Sequence, residues 1–185
     1  MTRRPSPGRQ WGRYGALACL VVLAAALPVA TVGAQNEGPT VTVADATLEP
    51  NTETTVRVAL NAVPTGLSGF EVRLELQSAG TATISGADYP DRYRPTTDPR
   101  IGPEGQSITI EAADLETEIG PGASNVTLAT VTVAGNATGH TTLAVASAQV
   151  DDDDGGRVDP ATVAGDVAVG VPTTSTDAVG GGQAP

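Results

Sequence analysis

The sequence predicts an all-β domain: an antiparallel β-sandwich of eight or nine strands with jelly-roll topology. Three observations predict it. Apolar side chains recur at every second position, most clearly in GLSGFEVRLEL (66–76), where Phe70, Val72, Leu74 and Leu76 alternate with Glu71, Arg73 and Glu75. A side-chain period of two means a strand with one buried face and one wet face. Gly, Pro and Asn punctuate the intervals between such segments, and no stretch sustains a helical period.

The elements follow in order. Val41 and Val43 open the first strand, and Glu49-Pro50-Asn51 turns the chain. Val56, Val58 and Leu60 alternate with Thr55, Arg57 and Ala59 in the second. The charged strand covers 68–77, and a short one covers 81–85. Ile108, Ile110 and Ala112 alternate with Thr109 and Glu111. Val126 and Leu128 share a face while Val131 and Val133 fall on the opposite phase, so a bulge is expected near Ala129-Thr130. Leu143 and Val145 continue the pattern, and Val163, Val167 and Val169 close it.

Residues 1–34 have the layout of a secretory signal peptide. Arg3, Arg4, Arg9 and Arg13 precede an apolar run from Gly15 to Ala30, and Val32-Gly33-Ala34 offers a small-residue cleavage site before Gln35. The run approaches the ~20 residues that span a bilayer, so a retained anchor is the alternative, and it is the one membrane tie the sequence offers. Residues 35–39 read as a linker, 40–170 as a single sandwich domain, and 171–185 as a low-complexity tail. The lone cysteine, Cys19, lies in the leader, so the exported domain depends on its core without disulfides. The expected location is secreted or at the cell surface.

Charge narrows the partners. The chain has no lysine, and its basic residues are 10 arginines, four of them in the leader. All 21 acidic residues follow position 34 beside six arginines, a formal charge of −15. An acidic, lysine-free surface over small apolar residues resembles the proteins of extreme halophiles, in which concentrated salt screens the self-repulsion. The same sign argues against nucleic acid and anionic membrane surfaces as partners.

Several residues are candidates for chemistry. The segment 86–105 holds Tyr89, Arg92, Tyr93, Arg94 and Arg100, and Tyr and Arg are enriched at interface hot spots. Partner contact is one reading; a surface loop whose arginines neutralise nearby acids is the other. Asp151, Asp152, Asp153 and Asp154, followed by Gly155-Gly156, invite a calcium reading, because clustered carboxylates suit hard cations. The glycine spacing does not fit an EF-hand, and a solvated acidic turn is the alternative. No cofactor other than calcium is suggested by the sequence. His140 is the sole histidine and no nucleophile has a recognisable setting, so an enzyme is not expected. Asn125-Val126-Thr127 and Asn136-Ala137-Thr138 are N-glycosylation sequons.

The segments GLSGFEVRLEL, ITIEAAD (108–114), SNVTLATVTV (124–133) and TTLAVASAQVDDDDG (141–155), in this order and spacing, resemble the cohesin domain. The first looks like that family's third strand, and the last like its penultimate strand with an acidic turn. The likeness spans roughly residues 40–169; Gln77-Ser78 departs from the Tyr-Asp often found there. The resemblance implies non-catalytic attachment to a dockerin-type protein. Glu71, Arg73 and Glu75 would lie on the docking plateau, with Glu111 on the same or a neighbouring strand. A related sandwich class, the carbohydrate-binding modules that serve polysaccharide breakdown, is the alternative. Those modules grip sugar with aromatic rows, and after residue 34 only Phe70, Tyr89 and Tyr93 are aromatic. A structural envelope protein is the third reading.

Overall fold

A computed structural model describes residues 38–170. The expected leader 1–34, most of the linker and the tail 171–185 lie outside the described residues. Twelve strands follow one another: β1 (Thr40–Val43), β2 (Ala46–Leu48), β3 (Glu53–Val63), β4 (Gly69–Leu76), β5 (Ala82–Asp88), β6 (Thr96–Ile101), β7 (Ser107–Ala113), β8 (Ala123–Gly135), β9 (Gly139–Asp151), β10 (Arg157–Val158), β11 (Ala161–Val163) and β12 (Gly165–Val169). One 3-10 turn, Pro103–Gly105, joins β6 to β7.

The strands form two sheets. One has the order β11-β1-β3-β8-β5, and the other β2-β12-β9-β4-β7-β6, with β10 also on β9. From β3 to β9 the chain passes back and forth between the sheets except at the β6–β7 pair, in keeping with the jelly-roll path expected. Two expectations are corrected. The strand count is twelve rather than eight or nine, because β2, β6 and β10 are short or lack alternation. The sheets are also mixed: β1 pairs with β11, and β2 with β12, in parallel. These pairings zip the first and last strands together as both cross from one sheet to the other. The crossing is tight. At Gly165 a Cβ would lie 2.8 Å from the Ala44 carbonyl carbon, and only glycine fits there. The Asp166 N–H donates to Asp45 Oδ1 at 2.8 Å beside it.

Alternation sets the core. Val56, Val58 and Leu60 of β3, Val72 and Leu74 of β4, and Ile108 and Ile110 of β7 are all at most 1 % exposed. The expected bulge exists, just upstream of its expected place. Val58 pairs with Ala129 and Ala59 with Thr127, so Leu128 is the extra residue. Val126, Leu128, Ala129, Val131 and Val133 can therefore all be buried despite their opposed phases.

Segment 86–105 is not the long loop expected. Its start belongs to β5, residues 96–101 form β6 and 103–105 the 3-10 turn, which leaves 89–95 as the longest irregular stretch. The connection from β7 to β8 is folded around a buried carboxylate. Asp114 is 1 % exposed, and its oxygens accept the N–H groups of Glu118 at 3.1 Å and Ile119 at 2.7 Å.

Candidate docking face

The outward side chains of β6, β7, β4 and β9 line up in rows. In register, Glu71 faces Glu111 on one side and Gln149 on the other; Arg73 faces Thr109 and Ser147; Glu75 faces Ser107 and Ala144. On β6, Thr97 extends the first row and Arg100 the second. Phe70, Val72 and Leu74 point to the core between these positions, so the plateau rests on a packed floor.

Glu71 and Glu111 are like charges directly opposite, which repel across a ladder. Arg100 resolves the conflict. Its guanidinium reaches Glu71 Oε2 at 3.4 Å and Glu111 Oε2 at 3.5 Å. Arg73 lies along its own strand, with Nη2 2.9 Å from Glu75 Oε1 and 3.3 Å from the Ser107 hydroxyl. Both pairs are half-exposed, so they orient the surface more than they stabilise it. Arg100→Ala is expected to cost about 0.5–1 kcal/mol at low salt. The cost should shrink in molar salt, where the Glu71–Glu111 repulsion is screened. Urea melts at both salts check this, and an equal loss at both would mean that Arg100 acts through packing.

A shallow depression of about 330 Å³ opens at the β4–β7 end of the plateau, among Ser68, Glu71, Thr97, Glu111, Gln149 and Asp151. A second, of about 530 Å³, continues past Pro95 and Thr97 to Tyr89 and Arg94. Tyr89 lines the second. Its hydroxyl donates to the Thr97 carbonyl at 3.0 Å and accepts the Glu111 N–H at 2.9 Å. It thus bridges the break in the β6–β7 ladder, which slips between Thr97 and Arg100.

The expected partner role of Tyr93 is corrected by burial. Tyr93 is 2 % exposed, packs edge-on against Phe70 at 5.2 Å, and donates its hydroxyl to the Thr127 carbonyl at 2.8 Å. Its neighbours Arg92 and Arg94 are exposed and form no ion pair among the described residues. Burial raises the pKa of both tyrosines above the ordinary value near 10; at Tyr89 the Glu111 N–H partly opposes it. The fold therefore favours the neutral phenols. Their contribution is intact below about pH 10 and falls as pH rises further, because the unfolded chain ionises first. Urea midpoints should decline from about pH 10 upward, less steeply in Tyr89→Phe and Tyr93→Phe; a flat profile would contradict this.

The acidic turn does not gather its carboxylates. Asp152 Oδ1 accepts the N–H groups of Asp154 at 3.1 Å and Gly156 at 2.6 Å, and Oδ2 accepts the Thr65 hydroxyl at 3.1 Å. Gly66, at φ +85°, lies against the Asp153 carboxylate and leaves no room for a Cβ. Asp151 accepts the Gln149 amide at 3.3 Å, and Asp153 and Asp154 are exposed. Among the described residues no three His, Cys, Asp or Glu side chains converge as metal ligands. The four aspartates therefore do not gather as the calcium reading expects, and the segment is arranged as a self-capped turn. His140 is exposed on β9.

No family model and no curated protein matches this chain. Solved structures do. A non-cellulosomal cohesin from the hyperthermophilic archaeon Archaeoglobus fulgidus superposes with a TM-score of 0.58 at 18 % identity, over 72 % of this chain and 92 % of that one. The fold is that of a cohesin. A type I cohesin–dockerin complex from Clostridium thermocellum gives a TM-score of 0.61 at 14 % identity, covering 71 % and 93 % of the two chains. The sixth cohesin of scaffoldin B from Acetivibrio cellulolyticus, solved with a dockerin, gives 0.60 at 12 %, covering 72 % and 99 %. At these identities the cohesin likeness is one of backbone.

Sequence reasoning placed Glu71, Arg73, Glu75 and Glu111 together, and the register brings them onto one face of adjacent strands. It did not place Arg100, Thr97, Ser147 or Gln149 there. Alternation after Val150 backwards through β9 carries a signal for Gln149, but the extra residue Ala146 shifts the phase at Ser147.

Proposed function

We propose that this chain is a non-catalytic attachment module that docks a protein partner of dockerin type on the outer face of β6-β7-β4-β9. The observation that carries this reading is the plateau itself: four adjacent strands whose outward residues are mostly polar or charged, with Glu71, Glu111, Arg73 and Arg100 held by ion pairs, over a packed apolar floor. The cohesin fold supports it, since solved examples sit in complexes with dockerins. Glu71, Arg73, Glu75 and Glu111 form the centre of the surface. Tyr89, Arg92 and Arg94 form a rim at one end, with the two arginines offered to acidic groups of the partner. Docking then needs little backbone movement, and specificity comes from shape and desolvated hydrogen bonds.

The setting we propose is outside the cell, at high salt, as the leader and the charge of −15 after it imply. Long-range steering is screened there, which places the weight on short contacts. A sugar platform finds less support, because Phe70 and Tyr93 are buried and Tyr89 uses its hydroxyl internally. The test is capture by the full chain, at molar potassium chloride, from envelope and culture-fluid extracts of its source cells. Insoluble polysaccharides are run alongside. One protein retained in stoichiometric amount supports the proposal; retention on polysaccharide alone overturns it.

A further inference from the structure

Two Asn-x-Thr sequons lie within the described chain, and the fold treats them oppositely. Asn136-Ala137-Thr138 is the whole connection between β8 and β9, and all three residues are exposed. Its backbone is tethered lightly: the Asn136 and Ala137 N–H groups share the Thr81 carbonyl, at 2.8 and 3.2 Å. Asn136 Oδ1 has a long contact of 3.5 Å from the Thr83 hydroxyl. Among the described residues, the Asn136 amide nitrogen and the Thr138 hydroxyl donate to nothing.

Asn125-Val126-Thr127 lies inside β8, a central strand held by β3 on one side and, further along, by β5 on the other. Val126 is 4 % exposed. Arg57 clamps the two flanking residues. It donates to Asn125 Oδ1 at 2.9 Å, to the Asn125 carbonyl at 2.7 Å and to the Thr127 hydroxyl at 2.7 Å. The Thr127 carbonyl is taken by the buried Tyr93. A transferase must hold three consecutive residues and reach both the amide and the hydroxyl two residues on. Asn125 itself is exposed, at φ +54°, but to engage all three residues the transferase must break the Arg57 clamp and free Val126 and Thr127 from their pairing with β3.

We propose that Asn136 is the N-glycosylation site of the folded protein, and that folding closes Asn125 to the same chemistry. The co-substrate is an oligosaccharide carried on a lipid pyrophosphate. The Asn136 amide nitrogen bonds to C1 of the first sugar and gives up one proton to a base of the transferase. The C1–O bond to the pyrophosphate breaks, and its electron pair leaves with the pyrophosphate oxygen. The product projects from the end of the sandwich. Gly139 to Gln149 spans roughly 30 Å along β9, so a glycan at Asn136 leaves the upper plateau uncovered. The inference is independent of the docking reading; export would bring the chain to a membrane-bound transferase.

The test incubates the folded full chain with a single-subunit oligosaccharyltransferase and a lipid-pyrophosphate-linked oligosaccharide, read by intact mass and peptide mapping. A free peptide containing residues 133–141 confirms that the enzyme accepts the sequence. The expected result is one glycan, at Asn136, unchanged in Asn125→Gln and lost in both Asn136→Gln and Thr138→Ala. A folded chain that stays unmodified while the peptide reacts would overturn the proposal. So would a glycan found at Asn125 to an equal or greater extent.

Discussion

Phe70→Ala is expected to lower the stability of the domain by about 3–5 kcal/mol. Phe70 is the only phenylalanine in the chain, and it is 3 % exposed. Tyr93 meets it edge-on, with centroids 5.2 Å apart and planes at 76°, and Tyr89 leans on it at 6.4 Å. Truncation therefore removes the transfer free energy of a large ring, leaves a cavity, and strips two aromatic contacts at once. The rest of the core is Val, Leu, Ile and Ala, short side chains on fixed strands that cannot swing in to refill the space. Against a total of about 5–15 kcal/mol for a domain, this is the largest single loss we expect. The site lies directly beneath the plateau, because Glu71 is the next residue and Phe70 also floors the smaller depression. Urea denaturation in molar salt measures it, and a loss below about 1.5 kcal/mol would mean that the three rings are not a packing unit.

Asp114→Ala comes second, at about 2–4 kcal/mol. The carboxylate is buried and accepts two backbone N–H groups, of which that of Ile119 is itself buried. Alanine would leave that donor unpaired in the interior, the costly side of hydrogen bonding. The damage should spread, because the same turn sets Ile119, whose side chain is 2 % exposed and whose carbonyl accepts the Leu67 N–H at 3.0 Å. Asp114→Asn keeps one acceptor oxygen and should lose about half as much. Equal losses in the two variants would show that charge, rather than acceptor number, holds the turn.

Much of this fold can be read locally. β4 and β7 alternate cleanly because one face is core and the other water, and β8 betrays its bulge through a phase change at Leu128. The remainder depends on distant parts of the chain. The parallel closure of β1 with β11 and β2 with β12 joins segments more than a hundred residues apart, and neither partner carries a sign of the other. β6 reads TTDPRI, with no alternation and a proline, which an edge strand tolerates but a sequence pattern does not reveal. Arg100 was therefore visible as a candidate, but not as the bridge between Glu71 and Glu111. Tyr93 looked like a contact residue by type. Its fate depends on the Thr127 carbonyl, 34 residues away, which accepts its hydroxyl inside the core. Four adjacent aspartates looked like ligands, yet Asp152 uses both its oxygens within the protein.

The central claim is that β6-β7-β4-β9 is the docking face. The most direct measurement is affinity for the captured partner, at molar salt, of variants that add bulk and charge to one face only. Glu71→Arg combined with Ser147→Arg alters the plateau, and Thr55→Arg alters the outer face of the opposite sheet; all three positions are exposed. Thermal melting verifies that each variant is folded. The expected result is a loss of about 100-fold or more for the plateau variant and under about twofold for Thr55→Arg. Wild-type affinity in the plateau variant, or a loss confined to Thr55→Arg, would contradict the account.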